Sequence, residues 1–301
     1  MHELFLTAVV PDVDIERAKA LLQGLSGMTA RGTVHRILYF AGPPQPRGLA
    51  VKRAIPQPIQ PAQGRLWAEL HQQMMRQSFV LQARYPVNRD ELGATPAASP
   101  GAAAILNGSA PGTLRWTDIP DPTGGSSATE IMRMITQRKK VELADTRNLP
   151  AILTDNGYRF KSELIEESFI FYNNGNEYVL VRYHRLPSSA PAAPGTPPTP
   201  LSALPTWDSI TNVPGGPPSG APPVDPSRQW LFFVRRHVLD DTSPEKMKKA
   251  VEELEAARTQ LTGIFAFVPV DRRAHDTRVE RPAGGVNNAP APASQAQKLR
   301  T

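Results

Sequence analysis

The dipeptide Asn174-Gly175 and the two runs that flank it constrain the fold of this chain more than any other stretch. Asn-Gly is a strong signal for a two-residue β-turn, because both central residues of that turn take positive φ angles. The flanking runs are rich in Phe, Ile, Tyr and Val, which are typical of strands. The predicted hairpin has the cross-strand pairs Phe171 with Tyr178, Ile170 with Val179, Phe169 with Leu180, and Glu167 with Arg182. The last pair sets opposite charges side by side.

Both faces of this hairpin are apolar, whereas an antiparallel sheet with one wet face alternates apolar and polar residues. The hairpin therefore needs cover on both sides. We expect the face with the larger aromatics to point into a barrel and the other face to meet a flanking helix or a partner, although the residues leave the reverse assignment open. The expected interior set is Phe169, Phe171, Tyr178 and Leu180, and the partner-interface candidates are Ile170, Tyr172, Val179 and Val181.

The remaining pattern contains far more strands than helices. Strands are predicted at residues 2–10, 34–40, 79–85, 113–117, 230–239 and 264–270, while residues 66–76 and 130–141 fit either a strand or a helix. One helix is predicted from Asp12 or Asp14 to Leu25, and a second begins at Ser243-Pro244 and ends at Gly263. We predict a mostly β fold, a many-stranded antiparallel β-barrel with a few flanking helices.

Proline-rich stretches divide the chain. Residues 186–226 contain 13 of the 32 prolines in a run of Ala, Ser, Thr and Gly that is typical of linkers. We predict one barrel domain over residues 1–271, interrupted by flexible insertions at about 41–65, 88–112 and 187–227. Residues 272–301 are predicted to form a disordered tail, which carries six Lys or Arg against two acidic residues.

Composition excludes several classes of function. The chain has no cysteine, which excludes thiolate chemistry and a disulfide scaffold and favours a reducing compartment. The N-terminus has neither a basic region nor a long apolar run, so we expect a soluble intracellular protein with no membrane segment. Most of the net charge of +6 lies in the tail, so a basic-tailed nucleic-acid-binding protein is only an alternative and direct nucleic-acid binding is not expected.

Carboxylates near the hairpin are the best candidates for chemistry. The cluster contains Glu163, Glu166 and Glu167, with Arg182 and Arg185 nearby, and a barrel lined by such residues could hold a divalent cation and a polyphosphate. The corresponding alternative is a tunnel-type polyphosphate or RNA 5′-triphosphate hydrolase. Cross-strand ion pairs are the favoured interpretation, because Glu166 leaves the strand face that Glu163 and Glu167 share. No metal site, cofactor site or catalytic residue is predicted.

Short motifs in a definite order resemble the Mediator complex subunit 18 family. They are the opening HELFL, LLQGLSGM, His35 with Ile37 and Tyr39, FVLQ, LPAILTDNGY, the NNGN hairpin, and WLFFVRRHV followed by a capped helix. The long Pro/Ala/Gly insertions resemble those of filamentous-fungal members. The resemblance implies a β-barrel related to RNA triphosphatases, but this chain lacks paired ExE motifs at its two ends, so hydrolysis is not carried over.

The resemblance also implies a function. It implies a nuclear, non-enzymatic component of the Mediator coactivator head module, which links gene-specific regulators to RNA polymerase II initiation through protein contacts. The implied partners are subunit 20, as a heterodimer, a helix of subunit 8, and other head-module subunits, with the polymerase machinery contacted indirectly.

Overall fold

A computed structural model describes residues 1–50, 63–93, 100–122, 134–186, 198–211, 229–239 and 243–280. Within these ranges the strands are β1 His2–Pro11, β2 Arg31–Ala41, β3 Val80–Pro86, β4 Gly112–Thr117, β5 Asp121–Pro122, β6 Thr136–Thr146, β7 Arg159–Asn173, β8 Asn176–Arg185, β9 Gln229–Val238 and β10 Phe267–Val268. The helices are α1 Ile15–Ser26, α2 Gly64–Arg76, α3 Pro100–Leu106, α4 Leu149–Asp155, α5 Trp207–Thr211 and α6 Pro244–Leu261.

Eight of the strands close into an antiparallel barrel. Their order is β1-β9-β8-β7-β2-β3-β4-β6, and β6 returns to pair with β1 from His2 opposite Lys139 to Phe5 opposite Thr136. Two short strands of two residues each pair with strands of the barrel: β10 pairs with β1, and β5 pairs with β6. The predicted many-stranded antiparallel barrel with a few helices is therefore confirmed.

The central hairpin has the predicted register. Phe171 lies opposite Tyr178, and the other three predicted pairs are also present. Asn174 and Gly175 have φ angles of 50° and 74°, as a turn with two left-handed central residues requires. Both faces of the hairpin are covered by the chain itself, because Phe171 and Val179, which point to opposite faces, are each almost fully buried.

The main hydrophobic core lies outside the barrel, beneath two helices. Helices α1 and α6 pack their apolar faces on β1, β8 and β9; the buried residues in this layer include Leu4, Leu6, Leu22, Phe171, Tyr178, Leu180, Phe232, Leu254 and Leu261, with Phe169 partly buried beside them. The expectation that Phe169, Phe171, Tyr178 and Leu180 point into the barrel is therefore wrong. The helices need a broad apolar surface, and this aromatic-rich face provides it.

A second layer covers the opposite side of the barrel. Helices α2, α3 and α4 pack on β2, β3, β4 and β6, and the buried residues include Leu38, Leu70, Met74, Leu81, Tyr85, Ile105, Leu114, Trp116, Leu143 and Leu153. Residues 66–76, which fitted either element, are helical, and the described part of the other ambiguous segment is mainly the strand β6.

The side chains on the other face of each strand point into the barrel lumen. Its apolar part includes Val179 and Val181, which pack against Phe5 and Phe233. Strand residues point alternately to the two sides of a sheet, so these four side chains lie opposite the helix-covered layer. The partner-interface candidates Val179 and Val181 are therefore lumen residues.

The predicted helix boundaries at α1 and α6 are confirmed. Gly27 has a φ angle of 65° after α1, and Ser243 precedes α6 with Pro244 as its first helical residue. None of the described helices is long and apolar enough to cross a membrane.

Three predicted flexible segments contain ordered structure. In the predicted insertion 41–65, Leu49 is buried. The predicted insertion 88–112 contains α3. In the predicted linker 187–227, residues 198–211 lie against the barrel. The tail boundary also differs, since Val279 N–H donates to Ser78 C=O at 2.9 Å and Thr277 C=O accepts from Val80 N–H at 2.6 Å. The rest of the predicted linker and residues 281–301 lie outside the described residues.

Candidate functional site

The lumen holds a network of buried charges. Its cations are Arg84, Arg115, Arg138, Lys140 and Arg235, and its carboxylates are Glu3, Glu142, Glu166 and Glu177. These residues come from seven strands, and each alternates along its strand with neighbours on the outer face of the barrel. Closure of the barrel is what brings them together.

Glu3 is at one centre of this network and is fully buried. Arg138 donates from Nε to Glu3 Oε2 at 2.6 Å, and Lys140 Nζ lies 3.5 Å from Glu3 Oε1. Lys140 also lies 3.2 Å from Glu142 Oε2, and Arg115 pairs with the other oxygen of Glu142. Charges of alternate sign therefore run across β1, β6 and β4.

Glu166 is at a second centre. Arg84 donates from Nη2 to Oε1 at 2.5 Å and from Nη1 to Oε2 at 3.1 Å, so the contact is bidentate. Burial alone would raise the pKa of Glu166, but Arg84 outweighs burial and lowers the pKa to about 2. The balance is similar at Glu142, where Arg115 and Lys140 overcome burial and lower the pKa to about 2. Both groups are carboxylates at neutral pH.

The ion pairs determine what the lumen can do chemically. Divalent cations need carboxylate oxygens that are free to bind them, and these oxygens already face Arg or Lys. Across the part of the chain that the structure describes, no three His, Asp or Glu side chains are grouped as metal ligands. The lumen therefore contains an internal ion-pair network beside its apolar cluster.

The three candidate carboxylates near the hairpin do not form one site. Glu166 faces the lumen, while Glu163 and Glu167 lie on the outer face, as the strand alternation predicted. Glu167 accepts from Arg182 at 2.9 Å across the hairpin and from Arg89 at 2.6 Å. The favoured interpretation as ion pairs agrees with this geometry, but the three carboxylates are buried, whereas Arg89 and Arg182 remain partly exposed. Arg185 is exposed at the end of β8.

Residues 198–211, which we call the strap, cross the outer face of β2, β7 and β8. Leu204 is buried against a groove formed by Val34, Leu92, Ile165 and Leu186, which we call the strap groove. Leu201, Trp207 and Ile210 are partly buried against the same cluster. The strap therefore covers the side of the barrel that lies between the two helical layers.

A buried ion pair holds the strap by its backbone. Arg36 donates from Nε to Glu163 Oε2 at 2.8 Å, and both side chains are almost fully buried. The second oxygen of Glu163 accepts from the Leu201 N–H at 2.7 Å, while Arg36 Nη2 donates to the Leu201 C=O at 2.6 Å. The pair thus offers one acceptor and one donor to a single residue of the strap.

Trp207 links the strap to the carboxylate Glu167. The Arg89 guanidinium lies 4.6 Å from the centre of the Trp207 ring, and His184 meets the same ring edge-on at 5.6 Å. Arg89 and His184 both contact Glu167. Burial alone would raise the pKa of Glu167, but hydrogen bonds from His184 and Arg182 outweigh it and lower the pKa.

The four partner-interface candidates lie in two different environments. Val179 and Val181 are buried in the lumen, and Ile170 is partly buried beside them. Tyr172 is 48% exposed near the tip of the hairpin, where its hydroxyl donates to Glu177 at 3.2 Å. Only Tyr172 offers a partner a large accessible surface, and its role in binding stays a prediction.

Sequence reasoning missed both the lumen network and the strap. Charged residues at alternate positions on single strands, as in Arg138, Lys140 and Glu142, are typical of a solvent face. The signal for the strap is the three-residue spacing of its four large apolar residues, Leu201, Leu204, Trp207 and Ile210, within a segment otherwise rich in proline and small residues. The average composition of the segment concealed that spacing.

Comparisons with known proteins agree with this fold. The Mediator of RNA polymerase II transcription subunit 18 of Aspergillus fumigatus is 25% identical over 298 residues, covering 93% of this chain and 100% of the relative. The subunit of the same name from Yarrowia lipolytica is 45% identical over 56 residues, 19% of this chain and 24% of the relative. A chain in the structure of the Schizosaccharomyces pombe Mediator head module has the same fold, with a TM-score of 0.53, 16% identity, and coverage of 89% of this chain and 98% of that chain.

A family model described as Med18 protein matches residues 2–278, which include every described strand and helix. The motifs that suggested this family from the sequence lie on the barrel and its helices, and the long insertions lie between them. This chain therefore belongs to the Med18 protein family.

Proposed function

We propose that this chain is a non-enzymatic component of the Mediator head module that acts in the nucleus. In this role it bridges gene-specific regulators and the RNA polymerase II initiation machinery through protein contacts. Its direct partners are subunit 20, a helix of subunit 8 and other head-module subunits. The support comes from membership of the Med18 family together with a fold shared with a chain of a Mediator head module.

The single observation that favours a structural role over hydrolysis is the pairing of the candidate carboxylates. Glu163 is paired with Arg36, Glu166 with Arg84, and Glu167 with Arg182 and Arg89. A phosphate-transferring site would hold a metal ion on such oxygens and leave the cations for the phosphates. Here the two sets of charges neutralise each other, so neither is available to a substrate.

Reconstitution tests the proposed function. The tagged chain is co-expressed with subunits 8 and 20 of the same organism, and we expect the three to elute together in size-exclusion chromatography. Failure to form this complex, with each component folded, would contradict the proposal. Metal-dependent phosphate release from triphosphate-ended RNA that disappears in Glu166→Gln would instead support the hydrolase.

Tyr172 provides a point test of the interface. We expect Tyr172→Asp to leave the fold intact and weaken the complex, because a charge at a contact loses its hydration on binding. The matched control is Met75→Asp on α2, since the two side chains are 48% and 50% exposed. Equal affinities of the two variants would remove Tyr172 from the interface.

A further inference from the structure

A pocket opens on the outer face of the barrel, where β3 ends beside α3 and the strap. It has a volume of about 160 Å³, and most of its wall is apolar. The buried side chains of Tyr85, Ile105 and Leu204 line it together with the exposed Pro86 and Pro111, so it can be reached from solvent. A cavity of this size accepts a ring as large as benzene. We call it the Tyr85 pocket.

Tyr85 brings an unused hydrogen-bond donor to this pocket. The residue is 1% exposed, yet its hydroxyl forms no hydrogen bond with any residue that the structure describes. Burial raises the pKa of Tyr85, so the hydroxyl keeps its proton at neutral pH. Buried hydroxyls normally have a partner, because an unpaired one loses its hydration without a replacement. The hydroxyl is therefore available to an acceptor on a ligand.

Glu91 brings an unpaired carboxylate to the same wall. Its Oε1 accepts from Asn88 Nδ2 at 3.2 Å, and no described Lys, Arg or His forms an ion pair with it. The nearby cation Arg89 is engaged elsewhere, because it pairs with Glu167. A carboxylate placed on an otherwise apolar pocket favours a ligand with a positive charge.

Two glycines allow these polar groups to approach the pocket closely. The Tyr85 ring lies on the backbone of Gly112, where an added Cβ would be 2.5 Å from Cε1 of the ring. Glu91 Oε2 lies on Gly101 in the same way, and an added Cβ would overlap it. A side chain at either glycine would therefore displace Tyr85 or Glu91 from the pocket.

We propose that the Tyr85 pocket binds a small aromatic amine that carries an oxygen on its ring. The ring fills the apolar space, the oxygen accepts from the Tyr85 hydroxyl, and the ammonium group pairs with Glu91. A ring is favoured over an aliphatic chain because the flat faces of Tyr85, Pro86 and Pro111 line the space. The site is a property of this chain alone and does not rest on the proposed function.

Three probes of similar size separate the contributions of the ring oxygen and the charge. Tyramine has both, phenethylamine lacks the oxygen, and 4-ethylphenol lacks the amine. Each is titrated into the full chain at neutral pH and low salt and followed by ligand-observed NMR. We expect phenethylamine to bind about fivefold more weakly than tyramine, as for one lost hydrogen bond. We expect 4-ethylphenol to bind about threefold more weakly than tyramine, as for one lost ion pair at a partly exposed site.

Two substitutions assign these preferences to single groups. Tyr85→Phe should leave the fold intact, because the hydroxyl has no partner in the described chain, and should make tyramine and phenethylamine bind equally. Glu91→Gln should make tyramine and 4-ethylphenol bind equally. The matched control is Asp90→Asn, which removes the exposed neighbouring carboxylate and should keep both preferences.

A blocking variant tests whether the probes occupy the pocket itself. Ala110 lines the pocket and is partly buried, so Ala110→Trp should fill the space and weaken all three probes by about tenfold or more. Ala103→Trp, at an exposed position on α3, is its control and should bind as the original chain does. If Ala110→Trp does not fold by circular dichroism, the Tyr85→Phe and Glu91→Gln titrations decide. Absence of tyramine binding, or preferences that persist in those two variants, would overturn the proposal.

Discussion

The ion pair between Arg84 and Glu166 gives the sharpest test of what the lumen is for. The side chains are 7% and 9% exposed, and two hydrogen bonds of 2.5 and 3.1 Å join them. The substitution Glu166→Gln keeps the size of the side chain and removes its charge, leaving the Arg84 guanidinium buried with a weaker acceptor. We expect this single change to destabilise the barrel strongly.

The size of the loss follows from the pKa. A lowering from 4.5 to about 2 for Glu166 means that the folded protein stabilises the carboxylate by about 3 kcal/mol relative to the unfolded chain. Removal of one member of a buried pair typically costs about 3 to 5 kcal/mol, which agrees with that value. Such a loss is a large part of the roughly 5 to 15 kcal/mol by which a domain of this kind is stable.

Urea denaturation followed by circular dichroism measures the effect. The double variant Arg84→Met/Glu166→Gln should recover most of the loss, since it leaves no unpaired charge. The control is Glu252→Gln, which removes an exposed ion pair with Lys248 on α6 and should cost less than about 0.5 kcal/mol. A loss below about 1 kcal/mol in Glu166→Gln, or a gain in stability, would refute the view that the lumen charges serve the fold.

Three further predictions concern folding stability. Val179→Asp and Phe171→Asp should each unfold the chain by circular dichroism, because both faces of the hairpin are buried; a folded Val179→Asp would contradict its place in the lumen. His35 has a pKa lowered from 6.5 to about 4, mainly by burial and then by Arg charges, so stability should be complete above pH 6.5 and fall as the pH drops toward 4. Urea midpoints at pH 7.5 and 5 should show this fall, and His35→Gln should reduce it, while burial of His275, which also lowers its pKa, accounts for a further part. Deletion of residues 281–301 should leave the melting temperature unchanged, whereas deletion of residues 272–301 should lower it by about 5 °C or more, because the hydrogen bonds to Ser78 and Val80 are lost.

Local sequence signals predicted the hairpin and the α6 helix well because each rests on neighbouring residues. Asn174-Gly175 sets the turn, the turn sets the register, and the register sets which side chains share a face. Ser243 and Pro244 likewise mark the start of α6 without reference to the rest of the chain. These features needed no knowledge of how distant strands meet.

The choice between the two sides of the hairpin could not be made locally. The alternation of side chains along a strand shows that Phe171 and Val179 point to opposite faces of the sheet. It does not show which of the two faces becomes the lumen. That choice depends on where α1 and α6 pack, and both helices are far from the hairpin in the sequence. The size of its side chains favoured the aromatic face as the barrel interior. In the structure this face is instead the apolar surface that the helices cover.

Closure of the barrel also changes what an apolar face means. In an open sheet, a hairpin with two apolar faces exposes one of them unless another layer or a partner covers it. In this barrel Val179 and Val181 pack against Phe233 of the neighbouring strand and Phe5 of the next strand inside the lumen, so this part of the second face is buried without any partner. The lumen charges follow the same logic, since Arg138, which by alternation would face solvent in a flat sheet, contacts Glu3 of the first strand once β6 returns to β1. Two apolar faces in a barrel strand are therefore evidence of closure, and a partner surface has to be sought among side chains that remain exposed after closure.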